Sequence, residues 1–191
     1  MNDGHARLCS SRRWAEFIAG EVVPAALDGR EVGRHLLEIG PGYGASTARL
    51  AVLDGQLTAV EIDPRLAARL RRRLPEVVVI DGRGEDLPFP DAVFTAVLSF
   101  TMLHHVHSAA DQDALFRHAQ RVLRAGGIFA GSDSIASSGL REFHRDDIYT
   151  PIDPRGLPDR LSAAGFTDIR VDIQPKDEWF SFSAVRAEEG R

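Results

Sequence analysis

Short apolar runs alternate with segments of helical periodicity along most of the chain, the pattern of a βαβ protein built on a parallel sheet. Trp14, Phe17, Ile18, Val22 and Ala25 recur at helical spacing, predicting an amphipathic helix over Arg12 to Leu27. His35 to Ile39 reads as a strand that stops at Gly40-Pro41-Gly42-Tyr43-Gly44, and a helix follows from Ala45 to Leu53. Leu57 to Glu61 is the second strand, and Asp63-Pro64 opens the next helix with an acidic cap and a proline at the first helical position. Val77 to Ile80, a β-branched run, is the third strand. Pro88, Pro90 and Asp91 interrupt the chain before the fourth, Ala96 to Phe100. A helix from Asp111 to Leu123 stops at Gly126-Gly127, and Ile128 to Gly131 gives the fifth strand. Between Asp133 and Asp153 periodicity fades and charged, glycine and proline residues take over, so a partly helical, mobile stretch is expected. A short helix, Leu157 to Ala164, precedes two period-two segments, Thr167 to Ile173 and Trp179 to Val185, expected to pair as a hairpin-like edge.

At 191 residues, without repeats or a low-complexity linker, the expectation is one domain over 1–191. Net charge is −5, and the longest basic block is Arg71, Arg72, Arg73, a solvated helix face rather than a stripe. That balance argues against general nucleic-acid binding. Cys9 is the single cysteine, which excludes an intrachain disulfide and a cysteine-rich zinc site. Met1 to Arg13 is polar and basic, unlike a secretory signal, and no apolar run nears the roughly 20 residues of a membrane span. A cytoplasmic protein is expected, with monomer and homodimer both open.

The chemistry concentrates at Glu38-Ile39-Gly40-Pro41-Gly42-Tyr43-Gly44. Glycines between a strand and a helix let the backbone turn with positive φ and admit a ligand to the helix start. The spacing is GxGxG rather than the dinucleotide GxGxxG. A carboxylate two positions before the first glycine suits a ligand bearing a positive amino group and a sulfonium better than a pyrophosphate. Glu61, ending the second strand, is placed to accept from ribose hydroxyls.

The runs HLLEIGPGYGAST, AVEIDP, GRGEDLPFPDAVF, LSFTMLHHV and RVLRAGGIFAGSD, in this order from Gly33 to Asp133, closely resemble the class I S-adenosylmethionine-dependent methyltransferases. Within that family the chain is most similar to the small-molecule group that includes the ubiquinone/menaquinone-biosynthesis enzymes. The resemblance implies a Rossmann-like α/β three-layer sandwich, with a mostly parallel seven-stranded sheet and one antiparallel edge strand. It also implies S-adenosylmethionine as cofactor. Glu38, Gly40, Gly42 and Gly44 would surround its methionine part, Glu61 the ribose, Ile62, Gly84 and Glu85 the adenine, and Ser99 and Phe100 the methionine carbons. Two positions depart from the pattern: Arg83 stands where an adenine-binding acid is usual, and Thr95 where an aspartate is usual.

Methyl transfer needs alignment first and a base only if the acceptor must lose a proton. His104, His105, His107, His144 and Asp133 are the candidate bases, each with a structural role as the plainer alternative. His144 with Asp146 and Asp147 hints at a metal, but nothing at the sheet ends supplies supporting ligands, so none is expected. An N-terminal helical lid (1–30) and an insert (133–153) are expected to select a small, lipid-like or quinone-like acceptor, through Trp14, Phe17, Phe143 and Tyr149 or by simple packing of those rings. A nicotinamide-dependent oxidoreductase and a non-catalytic S-adenosylmethionine-binding protein are the rival readings.

Overall fold

A computed structural model describes residues 2–174 and 178–188, the side chain of Asp3 excepted. The strands are β1 (His35–Ile39), β2 (Gln56–Glu61), β3 (Val78–Asp81), β4 (Phe94–Phe100), β5 (Leu123–Ser134), β6 (Phe166–Ile173) and β7 (Trp179–Arg186). They form one sheet in the order β3-β2-β1-β4-β5-β7-β6. The first five neighbours run parallel, with Leu37 level with Thr58 on one side and Val97 on the other. The last two strands pair with each other as the sequence predicts, and β7 runs antiparallel to both β5 and β6, so β6 is the outermost strand.

Helices cover both faces. They are α1 (Asp3–Cys9), α2 (Arg12–Phe17), α3 (Val23–Leu27), α4 (Ala45–Leu50), α5 (Pro64–Arg73), α6 (Ala109–Val122), α7 (Ser138–Phe143) and α8 (Leu157–Ala163). Strand alternation divides the core into two. Leu37, Ile39, Val97 and Phe129 pack with Leu115 and Phe116 of α6 and Leu161 of α8. Leu36, Ala59, Leu98 and Ala130 face Val23 of α3, Leu50 of α4 and Leu70 of α5. A parallel strand buried on both sides reads as a continuous apolar run because each parity has its own helix layer.

Two differences from the sequence expectations have local causes. The segment expected as one helix over 12–27 is split by a π-helical turn, Ile18–Val22. Pro24 has no N–H to return to the carbonyl of Gly20, and the wide turn absorbs that missing bond. A further helix, α1, precedes it; the side chain of Asn2 caps it by accepting from the amide of His5 at 3.0 Å. The aperiodic stretch after Asp133 is partly helical, as expected: it contains α7, capped by Ser137 accepting from the Leu140 amide at 3.1 Å. No helix among the described residues is long and apolar enough to cross a membrane.

Sheet order reverses between β1 and β4, whose following segments leave in opposite directions. That switch point, at the carboxyl ends of the strands, is where an open α/β sheet leaves a crevice.

Candidate active site

The turn after β1 is held from three directions. Gly40 donates to the carbonyl of Val60 at 2.9 Å, and Gly44 donates to that of Pro41 at 2.8 Å. Gly40, Gly42 and Gly44 all have φ between +55° and +79°. The three glycines nevertheless serve different ends. A Cβ at Gly40 would collide with Met102, and one at Gly44 would lie 2.5 Å from Leu70 of α5. At Gly42 no atom lies within 4 Å of that position, so this glycine keeps the backbone open to the cavity.

Glu61 anchors the floor. Its Oε2 accepts from Gly42 N at 2.8 Å and its Oε1 from Asp63 N at 2.9 Å. Burial raises its pKa, and these amide bonds oppose that rise. Each oxygen retains a lone pair for a ligand. Beside it Ile62 is 54% exposed, the one large exposed apolar side chain among the described residues that borders the cavity. An aliphatic face left in water there fits a flat ring lying against it. Asp63 also acts as the α5 cap, accepting from Arg65 N at 2.8 Å, and so confirms its reading as a cap.

The resulting cavity has a volume of about 290 Å³. Gly40, Gly42, Glu61, Ile62, Gly84 and Glu85 border it, as does Phe100. The structure therefore gathers seven of the ten expected cofactor positions. It places three others behind the wall. Ser99 is fully buried in β4, and Gly44 serves helix packing. Glu38 shares the strand parity of Leu36, so its side chain runs beneath α4 rather than into the cavity. There it accepts from Ser46 Oγ at 2.5 Å, and Ser46 is the residue that reaches the lining. Burial lifts the Glu38 pKa to about 7, against the opposing Ser46 bond.

A carboxyl whose folded pKa exceeds its unfolded value favours the fold only while protonated. Stability is thus expected to fall as pH rises from about 4.5 through about 7. In the Glu38→Gln variant, urea denaturation at pH 5 and pH 8 should show that fall reduced; an unchanged slope would contradict it.

The two departures from the family pattern fall in different places. Arg83 borders the cavity and donates to Glu85 Oε1 at 2.7 Å, so the pair presents both charges to the ligand edge. Thr95 sits at the opposite end of the sheet, where its hydroxyl donates to Val32 O at 2.7 Å and accepts from His35 N at 3.1 Å. It contacts no part of the cavity.

On the acceptor side His105 and His107 border the cavity. His104, Asp133 and His144 do not; all three are buried beneath it. Burial, then neighbouring His104, push the His105 pKa down to about 2, which makes it a neutral hydrogen-bonding ring and a weak proton acceptor. Trp14 reaches the lining, whereas Phe17 packs on Trp14 and Trp179. Sequence reasoning missed His5, Cys9, Met102 and Ile148, and it weighed Asp147 only as a metal ligand. For His5 the available signal was the Asn2 cap, which starts a helix in a segment read as plain polar chain.

Residues 37–131 match the family model described as a methyltransferase domain. A Mycobacterium tuberculosis protein named "probable S-adenosylmethionine-dependent methyltransferase" is 32% identical over 158 residues, 81% of this chain and 57% of that protein. The chain belongs to the class I S-adenosylmethionine-dependent methyltransferases. It spans a little over half the length of the mycobacterial relative. A demethylmenaquinone methyltransferase of Tropheryma whipplei is 35% identical over 101 residues, 52% of this chain and 41% of its own. A Haloferax volcanii methyltransferase solved with the activator Trm112 shares the fold at a TM-score of 0.73 and 17% identity, across 97% of this chain and 95% of that one. The family's cofactor is S-adenosylmethionine, and the open Gly42, the Glu61 carboxylate and the bare Ile62 face fit it.

Proposed function

We propose that this methyltransferase moves the methyl group of S-adenosylmethionine to a small, largely apolar acceptor, in one domain over 1–191. In this reading residues 1–30 form the lid and 133–153 the substrate-side segment. The observation that carries it is the continuity of the cavity: it runs from the glycine turn to Trp14, Ile18, Val106 and Ile148, beneath α1 and α2. A pocket that holds the cofactor and continues between such side chains suits a compact molecule better than a polymer. The Tropheryma relative, by its name a quinone-pathway enzyme, points the same way. The lone Cys9 supports a reducing, cytoplasmic setting.

When bound, the cofactor supplies an electrophilic methyl carbon on a positively charged sulfur. Glu61 would hold the ribose hydroxyls, Ile62, Gly84 and Glu85 the base, and Gly40, Gly42 and Phe100 the amino-acid end. Glu38, Gly44 and Ser99 would shape the wall from behind. His105 and His107 would face the acceptor, while the apolar wall excludes water. Such alignment is worth up to about 7–11 kcal/mol in favourable cases.

A transfer assay with a labelled methyl donor tests the acceptor class. Small apolar phenols and quinols, total RNA and total protein would be offered in parallel. Label in the small-molecule fraction is expected. Label in RNA or protein, or cofactor binding without turnover on any fraction, would overturn the proposal.

A further inference from the structure

Three segments far apart in the chain bring imidazoles together at the wall of the cavity. His5 comes from α1, His105 from the 3-10 turn Leu103–His105, and His144 from the end of α7. One ring nitrogen of each lies within 4.8 Å of the other two. The His5 centroid is 4.8 Å from that of His105 and 4.6 Å from that of His144, and the latter two are 5.2 Å apart. We propose that His5, His105 and His144 bind a divalent transition-metal ion of the zinc class, with one coordination position open to the cavity. The inference does not depend on the acceptor proposed above.

The geometry needs little adjustment. Tetrahedral zinc with Zn–N of about 2.0–2.1 Å places ligand nitrogens about 3.3 Å apart. The widest pair must therefore close by about 1.5 Å, within reach of small rotations of imidazole side chains.

The tautomer is set in advance. His144 Nδ1 donates to the carbonyl of Leu140 at 2.7 Å, which leaves the Nε2 lone pair as the ligating one. His144 is 4% exposed, and this Nε2 is buried with no hydrogen-bond partner among the described residues. A buried acceptor left unmet carries an uncompensated desolvation cost, and a metal would remove it. Rings that merely packed would leave it standing. On the other side His5 Nδ1 lies 3.4 Å from Asp147 Oδ2, so a carboxylate stands beside a second ligand ring.

The site is also held together without an ion. Asn2 caps α1 and its side-chain amide donates to the carbonyl of Phe143 at 2.7 Å, pinning the helix that carries His5 against the segment that carries His144. His5 and His105 border the cavity while His144 lies behind them, so three protein ligands leave the cavity side for a fourth. An all-imidazole set selects zinc, cobalt or nickel over magnesium, which takes oxygen. The sequence hinted at a metal beside His144 but offered no supporting ligands, because His5 belongs to a segment that gave no sign of meeting the others.

The test uses the full chain without an affinity tag, stripped with chelator and titrated with Zn²⁺, Co²⁺ and Mg²⁺ without cofactor or acceptor. One equivalent of Zn²⁺ is expected to bind, with Co²⁺ giving the visible bands of a four- or five-coordinate site. His5→Ala and His144→Ala should each weaken Zn²⁺ by roughly 100-fold. His118→Ala, altering a histidine of α6 that accepts from Leu87 N, should leave binding unchanged. Circular dichroism identifies any unfolded variant, and the wild-type cobalt spectrum decides the question without one. No saturable Zn²⁺ binding, preference for Mg²⁺, or binding indifferent to His144 would overturn the proposal. Methyl transfer enters none of these readouts, so the two proposals fail separately.

Discussion

Glu61→Ala should weaken S-adenosylmethionine binding by roughly 100-fold or more, the expected size when charge-assisted hydrogen bonds of about 1.5–3 kcal/mol each are lost. The carboxylate does two jobs. It faces the cavity at the switch point, and it ties Gly42 and Asp63 together through their amides. Alanine removes the ligand contact and also frees the turn that Gly42 keeps open. Glu61→Gln should fall between the two, because its amide nitrogen must face either the Gly42 or the Asp63 N–H, and neither can accept. Calorimetric titration with S-adenosylmethionine and S-adenosylhomocysteine measures the loss, with thermal melting as the folding control. A 2′-deoxyribose analogue separates the two jobs: its penalty should be large in the wild type and nearly vanish in Glu61→Ala. Unchanged affinity in the variant, or tighter binding of NADH by the wild type, would remove the basis for the cofactor site.

Much of that site was legible because it is local. One strand, one glycine turn and one acid at the next strand end fall within residues 35–61, and spacing alone puts them at a common edge. Parity also told more than was used. Glu38 alternates with Leu37 and Ile39 and so had to share a face with Leu36, beneath α4, rather than project from the strand end. Glycines at fixed spacing look alike in sequence, and only the packing shows that Gly44 answers to Leu70 whereas Gly42 answers to empty space. The acceptor side was less legible for a different reason. Its walls are assembled from residues 5–18, 102–107 and 147–148, and no periodicity links a capped helix near one end to a turn after β4. The π-helical turn belongs with these: Pro24 marked a weak point in the first long helix, yet its effect depends on Ile18 and Val22 staying in the core.

Asp133→Ala is expected to cost about 3–5 kcal/mol of stability, because it leaves the hydrogen-bond donors around a fully buried side chain unmet at about 1–3 kcal/mol each. Asp133 ends β5 with no exposure. Its Oδ2 accepts from His104 N at 2.9 Å, its Oδ1 accepts from Ser134 N at 2.6 Å, and His104 Nδ1–H donates to it as well. Alanine would strand two buried donors of His104 and the part-buried Ser134 N–H at once. Asp133→Asn keeps one oxygen and should lose less. For a chain of this size each kcal/mol shifts Tm by roughly 2–4 °C, so the alanine variant should melt well below the asparagine variant. The pair also bears on chemistry, because His104 and Asp133 lie beneath the lining while the next residue, His105, is part of it. We propose that they position the Leu103–His105 turn rather than exchange protons with an acceptor. Asp133→Asn should then lower kcat without moving the pH midpoint of kcat and without loosening cofactor affinity. A displaced midpoint would instead make the pair a proton relay reaching the cavity through His105, the only one of the two neighbouring rings that faces it.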